Sequence, residues 1–485
     1  MDLYFTDFFD VDEDVLDGYG AFNISLVVDL PLFIDPFLLF NSKKPEHQAL
    51  HNQIIAYLRH LRDLSIAGNL SDGRIRNLYC FPEVQQNWLG FSQENNRGRG
   101  LGMDFARALS ENLNSLFKDF GQEQITKGSH LEKLCLIRDG VGRDMISDFT
   151  TNLIKRYLCQ FTETFTKLHL KKKYMTKFAV PRVDFNTTTR TWSPSTFVLP
   201  RFGNDYVILT PKDILTKDDT WINKHDFVRE YHEIPQAIGN DELRANINAY
   251  FQSVLPREAT IKDEAEAIRK TAIKYPELID YFIKHKENTG DAAKKQSIAK
   301  VKASITLYIE QFGLLVDKLR DTTAFYKEPL NSKNAAREKA FFLKDVIENK
   351  GGHRLFYHKG KPLKREEDLQ ILYRLVWHGT HFDVSREVND GRGPADFKIS
   401  AGAKDKTLVE MKLAANTGLK RNLAKQIEIY QKASDAAGTV KVIIFFTLAE
   451  ALRVKKILKE LKIDKSKDII LIDARKDNKP SGSKA

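Results

Sequence analysis

The chain has 485 residues, 42% of them hydrophobic and 29% charged, with a formal net charge of +11. That length allows two to four domains with true cores, and the balance excludes both a disordered and a membrane-embedded chain. The basic excess favours a polyanionic partner.

The first residues are acidic (Asp2, Asp7, Asp10, Asp12, Glu13, Asp14), which is unlike a secretory signal. The longest apolar stretch, 24–40, is interrupted by Asp29, Pro31, Asp35 and Pro36, so no membrane span is expected. Cys80, Cys135 and Cys159 have neither metal nor disulfide spacing, consistent with core residues in a reduced cytoplasm. Residues 21–28 and 32–40 read as strands, with Asp29 and Asp35 in turn or capping roles. Leu50, Ile54, Leu58 and Leu61 repeat at helical spacing and predict a helix over 45–66. Residues 67–102 are loop-rich, and Arg97 and Arg99 lie in a glycine-dense turn that matches no phosphate-binding fingerprint. Residues 103–120 are expected to be helical.

The passage 131–154 is expected to run as strand, glycine turn and helix. It would offer Arg143 and helix N-terminal amides to an anion, with Asp144 and Asp148 one turn apart on a shared face. Its functional readings are a ligand pocket, a second metal site or a contact to a nucleic-acid end; the structural reading is an Asp-capped helix. Residues 189–210 alternate like strands. Two long Lys-rich helices are expected over 256–284 and 291–320. Val301, Ile305, Tyr308, Phe312, Leu315 and Leu319 form a stripe suited to internal core first and to an oligomer or partner surface second.

The C-terminal third divides into helices over 335–349, 366–378, 419–433 and 448–461 and strands over 382–388, 395–400, 407–413, 440–446 and 469–473. The expected fold class is therefore an α/β C-terminal domain after a mixed α+β N-terminal region and a long-helix connector. The expected divisions are 1–255 for sensing, targeting or assembly, 256–330 for the connector, 331–478 for the C-terminal domain and 479–485 for a disordered tail. Twelve lysines and arginines lie in 441–485 against six acids, so the basic excess gathers beside this domain.

Within it, Gly-Arg-Gly-Pro-Ala-Asp-Phe (391–397) precedes Val-Glu-Met-Lys-Leu (409–413). Alternate strand side chains share a face, so Glu410 and Lys412 point together and Val409, Met411 and Leu413 point into a core. A hairpin turning at 401–405 brings Asp396 opposite or nearly opposite Glu410. Two facing acids require a cation between them, and Mg²⁺ accepts one or two carboxylates with water and phosphate oxygens.

Gly-Pro-Ala-Asp396 followed by Glu410-Met-Lys412 resembles the PD-(D/E)xK nuclease superfamily, and Gln426 with Tyr430 resembles the QxxxY element of its RecB-like branch. Ala395 between the proline and the aspartate is a small departure. The resemblance implies a restriction-endonuclease-like αβββαβ core and metal-dependent endonuclease activity on nucleic acid, with DNA favoured over RNA. It implies a metal set of Asp396, Glu410 and the Met411 carbonyl, with Glu366 or Glu367 from the preceding helix and Mg²⁺ replaceable by Mn²⁺. Lys412 would orient the attacking water or stabilise charge on the phosphorus, with Gln426 and Tyr430 placing the backbone. Arg392, Lys398, Lys420, Arg421 and Lys425 would form a nucleic-acid patch. Joined to a large unfamiliar N-terminal region, such a nuclease looks like restriction and anti-phage defence proteins. The rivals are a non-catalytic nucleic-acid-binding module of the same fold, and an N-terminal ligand sensor driving the nuclease.

Overall fold

A computed structural model describes every residue except 1–2, 69, 91–100, 117–119, 138–140, 327–330, 379, 381, 390–393, 402–404, 425–437 and 480–485. The chain divides into two compact units, one built mainly on residues 302–485 and the other on 2–91 and 97–301. Of the segment expected as a connector, 256–301 thus belongs to the N-terminal unit and the rest to the C-terminal one.

In the N-terminal unit, the helix Pro45–Ile66 starts with proline at its first turn and buries Leu50, Ile54, Leu58 and Leu61. The strands Met175–Asn186 and Thr191–Phe202 form an antiparallel hairpin, extended by Asp205–Tyr206. Its register shifts between Val180 and Asp184, where Pro181 cannot donate to the ladder and Arg182 takes a positive φ of 52°. The helix Lys155–His169 packs on this hairpin, with Glu163 accepting the Val198 N–H at 2.8 Å.

Several sequence expectations fail here for identifiable reasons. Residues 32–40 give only a three-residue strand, Leu32–Ile34, paired with Leu215–Lys217. Asp35 then accepts the Phe37 N–H and Pro36 opens a short helix, Pro36–Phe40, the Asp-Pro pair acting as cap and first turn. Residues 21–28 contribute isolated bridges (Ala21 to Pro211, Ser25 to Tyr4) and no strand. The apolar run at 131–137 is a short helix, Lys133–Ile137, because a fully buried run carries no periodicity that separates helix from strand. The expected helix over 256–284 is two helices, Ile261–Lys274 and Glu277–Asn288, broken at Pro276.

Glu132 is fully buried, and neither carboxylate oxygen has a hydrogen-bond partner among the described residues. Burial pushes its carboxyl up to about 8, with the charge of Asp35 adding to the shift. Burial also raises Asp35, against the hydrogen bonds it accepts from Trp221 and Phe37. A carboxyl raised in the folded state stabilises fully below its unfolded pKa, and that contribution is lost as pH climbs through the folded value. The urea midpoint of the chain is therefore expected to fall between roughly pH 5 and 8. Glu132→Gln is expected to flatten that slope and to raise the midpoint at the alkaline end. An identical slope in the variant would contradict this.

The C-terminal unit carries a five-stranded mixed sheet. Its elements are helix α1 (Ser332–Asn349), helix α2 (Glu366–Trp377), β1 (Asp383–Asn389), β2 (Pro394–Ala401), β3 (Asp405–Leu413), β4 (Thr439–Phe445), helix α3 (Leu448–Glu460) and β5 (Ile469–Asp473). The spatial order is β5-β4-β3-β2-β1. The first three strands form an antiparallel meander, whereas β3, β4 and β5 run parallel. Residues 419–424 are helical. One face of the sheet packs on α1 and α2: Met411 touches a small apolar void lined also by Leu343, Leu369 and Tyr373. On the other face Ile443 and Phe445 join Leu419, Leu423, Val454 and Leu458 in a buried cluster. The interior strand β4 reads as a nearly continuous apolar run because it is covered on both faces.

The stripe at 301–319 is internal, with Tyr308, Phe312 and Leu319 fully buried. It passes through a π-helical turn, Thr306–Gln311, which directs the Tyr308 hydroxyl onto the Asp368 carboxylate in the first turn of α2.

Candidate active site

The β2–β3 register pairs Phe397 with Val409, so its next step sets Asp396 beside Glu410. Strand alternation places Asp396, Lys398, Glu410 and Lys412 on one face. Val409, Met411 and Leu413 take the other and are almost wholly buried. On the far side of β3, Lys441 of β4 is the direct partner of Glu410. Two acids and an ammonium thus stand in a row across three adjacent strands.

Asp396 is 7% exposed. Its Oδ2 accepts the Met411 N–H at 2.7 Å, and both its oxygens lie 3.2 Å from Lys412 Nζ. Lys412 Nζ also lies 3.5 Å from Glu366 Oε2. The Glu366 Oε1 atom accepts the Leu413 N–H at 3.2 Å and the Asn416 side-chain amide at 2.8 Å. Glu366 therefore ties the N-terminus of α2 to the end of β3 through the same lysine that holds Asp396. Glu367 does not join this group; it is partly exposed and pairs with Arg365 at 3.7 Å. On the other flank Lys441 Nζ stands 3.8 Å from Glu410 Oε2.

Burial raises the Asp396 carboxyl above its ordinary value, and Lys412 offsets only part of the effect. Burial works against the Lys412 ammonium too, but Asp396 and Glu366 outweigh it, so its pKa rises. Lys441 moves the other way: burial lowers its pKa, Glu410 resists, and Lys412 repels it.

The donor set is chemically suited to a hard divalent ion. Three carboxylates (Asp396, Glu410, Glu366) face two ammonium groups, and Mg²⁺ needs only one or two carboxylates, completing its shell with water. Among the described residues, no three His, Cys, Asp or Glu side chains stand close enough together to hold one ion. In this structure the carboxylates are instead drawn to the two lysines and to backbone N–H groups. Of Met411 it is the N–H that engages a site residue, through Asp396.

Gln426, Tyr430, Lys425 and Arg392 lie outside the described residues. Lys398 is half-buried on the Asp396 face, two positions along β2. Lys420 is exposed and pairs with Glu460 of α3 at 2.7 Å, and Arg421 is exposed.

Three contributors escaped sequence reasoning. Lys441 interrupts an otherwise apolar strand, the signal that marks it. Asn416 and Arg453 left no such trace. Arg453 donates to the Ala414 carbonyl at 3.1 Å and the Asn416 carbonyl at 2.7 Å, fixing the turn that carries Asn416 to Glu366.

In the N-terminal unit, Arg143, Asp144 and Asp148 do lie at the start of a helix, Arg143–Leu153. Arg143 is engaged by Asp219 at 3.4 Å and stands 4.9 Å over the Phe33 ring. Burial pushes the Asp148 carboxyl well above the ordinary range, with the charges of Asp144, Glu83 and Asp29 adding to it. An anion placed at this turn would meet these four acids, with the nearby arginine already paired.

Two family models match the chain, each described as a domain of unknown function: DUF8370 over residues 10–223 and DUF8371 over residues 332–448. The second spans α1 to the start of α3 and includes Glu366, Asp396, Glu410, Lys412 and Lys441. Neither a curated protein nor a solved structure matches the chain.

Proposed function

We propose that the chain is a divalent-metal-dependent endonuclease acting on phosphodiester bonds, with DNA as substrate and the C-terminal unit as a PD-(D/E)xK catalytic domain of restriction-endonuclease-like core. The observation that carries this is the juxtaposition of Asp396 with Glu410 on adjacent strands, with Lys412 Nζ 3.2 Å from Asp396. A mixed sheet with a three-stranded antiparallel meander, followed by a helix and a parallel strand, supports the same assignment.

Asp396 and Glu410 would hold the ion, with Glu366 at the edge of the group. When bound, Mg²⁺ (or Mn²⁺) supplies charge neutralisation on the phosphoryl oxygens and a lowered pKa for its water. Lys412 keeps its proton and places it where negative charge builds on the phosphoryl oxygens in the transition state. Glu366 and Asp396 hold that ammonium in place from two sides. Lys398, Lys420 and Arg421 offset backbone phosphates, a contribution that weakens with salt. Residues 2–301 supply targeting or regulation, in a restriction or antiviral setting by analogy of architecture.

The test is incubation of the purified full chain with linear, circular and single-stranded DNA, with Mg²⁺ or with a chelator. Mg²⁺-dependent cutting of at least one form, abolished by the chelator, is expected. DNA binding without cutting would favour a non-catalytic module instead.

A further inference from the structure

Lysine is out of place in the middle of a sheet. β4 reads Thr-Val-Lys-Val-Ile-Ile-Phe, and Val440, Val442, Ile443 and Ile444 are fully buried. A buried ammonium is costly unless a charge or hydrogen bonds compensate it. Lys441 and Glu410 are direct partners across the parallel ladder, their charged atoms 3.8 Å apart, with side chains 12% and 3% exposed. On its other flank Glu410 has Asp396, an acid. Two buried carboxylates on neighbouring strands repel, and each meets a lysine here: Asp396 has Lys412, and Glu410 has Lys441. Lys412 is needed for the chemistry in any nuclease assignment, whereas Lys441 has no place in that chemistry.

We propose that Lys441 is a resident counter-ion of Glu410 that competes with the divalent cation for its carboxylate and so sets the metal affinity of the site. This rests on the nuclease assignment above. Without metal, the Lys441 ammonium stands against the Glu410 carboxylate, 3.8 Å away. Metal binding displaces its ammonium, so the site fills only when free cation is abundant enough to pay for that exchange. The site would thereby stay closed to adventitious ions at low concentration.

Mn²⁺ titration of the full chain by calorimetry, under mildly alkaline conditions, compares wild type with Lys441→Gln and Lys441→Arg. Removing a positive charge this close to a dication is expected to tighten Mn²⁺ binding roughly tenfold or more in Lys441→Gln. Lys441→Arg is expected to stay near wild type. A second readout needs no variant: Mn²⁺ is expected to raise the acetylation rate of Lys441 in the wild-type chain, measured by mass spectrometry relative to Lys420. That readout decides the matter if Lys441→Gln fails to fold. Mn²⁺ bound equally or more weakly by Lys441→Gln, or unchanged labelling on Mn²⁺ binding, overturns the competition and leaves the nuclease assignment standing. No Mn²⁺ binding by any of the three chains overturns both.

Discussion

Lys412→Ala is expected to lower Mg²⁺-dependent DNA cleavage by about a hundredfold to a thousandfold, the scale seen when a preorganised charge-stabilising donor is lost. The fold is expected to survive. Lys412 projects from the site face of β3, whereas Val409, Met411 and Leu413 hold that strand in the core from the opposite face. Its removal does not orphan the acids it bridges. Asp396 keeps the Met411 N–H, and Glu366 keeps the Leu413 N–H and Asn416. The cost of leaving them with weaker compensation is on the order of 1–3 kcal/mol. Cleavage rates with saturating Mg²⁺, alongside circular dichroism, separate the two effects. Cutting at wild-type rate by a folded Lys412→Ala chain would remove the lysine from the mechanism and the assignment of the catalytic site with it.

The largest stability effect is expected in the other unit. The Glu287 carboxylate is sealed from solvent and gathers the Lys127 N–H at 2.8 Å, the Gly128 N–H at 3.1 Å and His130 Nε2 at 2.9 Å. Burial lowers the His130 pKa, and Glu287 is the group that opposes this. His130 is in turn packed against Phe37 and Phe40, with ring centroids 5.8 and 4.6 Å away. One carboxylate thus fastens a helix to the loop at 127–130, and through it to the aromatic core. Glu287→Ala leaves two part-buried backbone donors and a fully buried imidazole without their acceptor. The expected loss is about 3–5 kcal/mol, as for other buried pairs deprived of one member. Urea unfolding measures it, and a loss under about 1 kcal/mol would mean that water or a neighbour replaces the carboxylate.

The contrast between the two units shows what the sequence could convey. The C-terminal elements were legible because each has a single environment along its length. The strand over 469–473 and the helix over 45–66 appear at the residues that pattern indicated, and α1 to α3 and β1 to β4 lie within a few residues. Residues 32–40 and 131–137 were not legible, because full burial removes the period on which such inference rests. The pairing of Glu410 with Lys412 is local, two residues on one strand. Asp396 follows from a short hairpin whose length limits its register. Lys441 reaches Glu410 only through a parallel pairing closed across residues 414–438. Nothing local sets that register, and a one-residue slip would turn the lysine to the other face. Asn416 and Arg453 act through turn geometry that no spacing encodes. Glu366 and Glu367 are adjacent in sequence, and only the path of α2 past the end of β3 separates them.

The most direct test of the shared-ion geometry is anomalous scattering from Mn²⁺-soaked crystals of the full chain. A single strong peak within first-shell reach of both the Asp396 and Glu410 carboxylates, roughly 2 Å from each, is the expected result. A peak held by only one of them, or Mn²⁺ bound only at other residues, would contradict it.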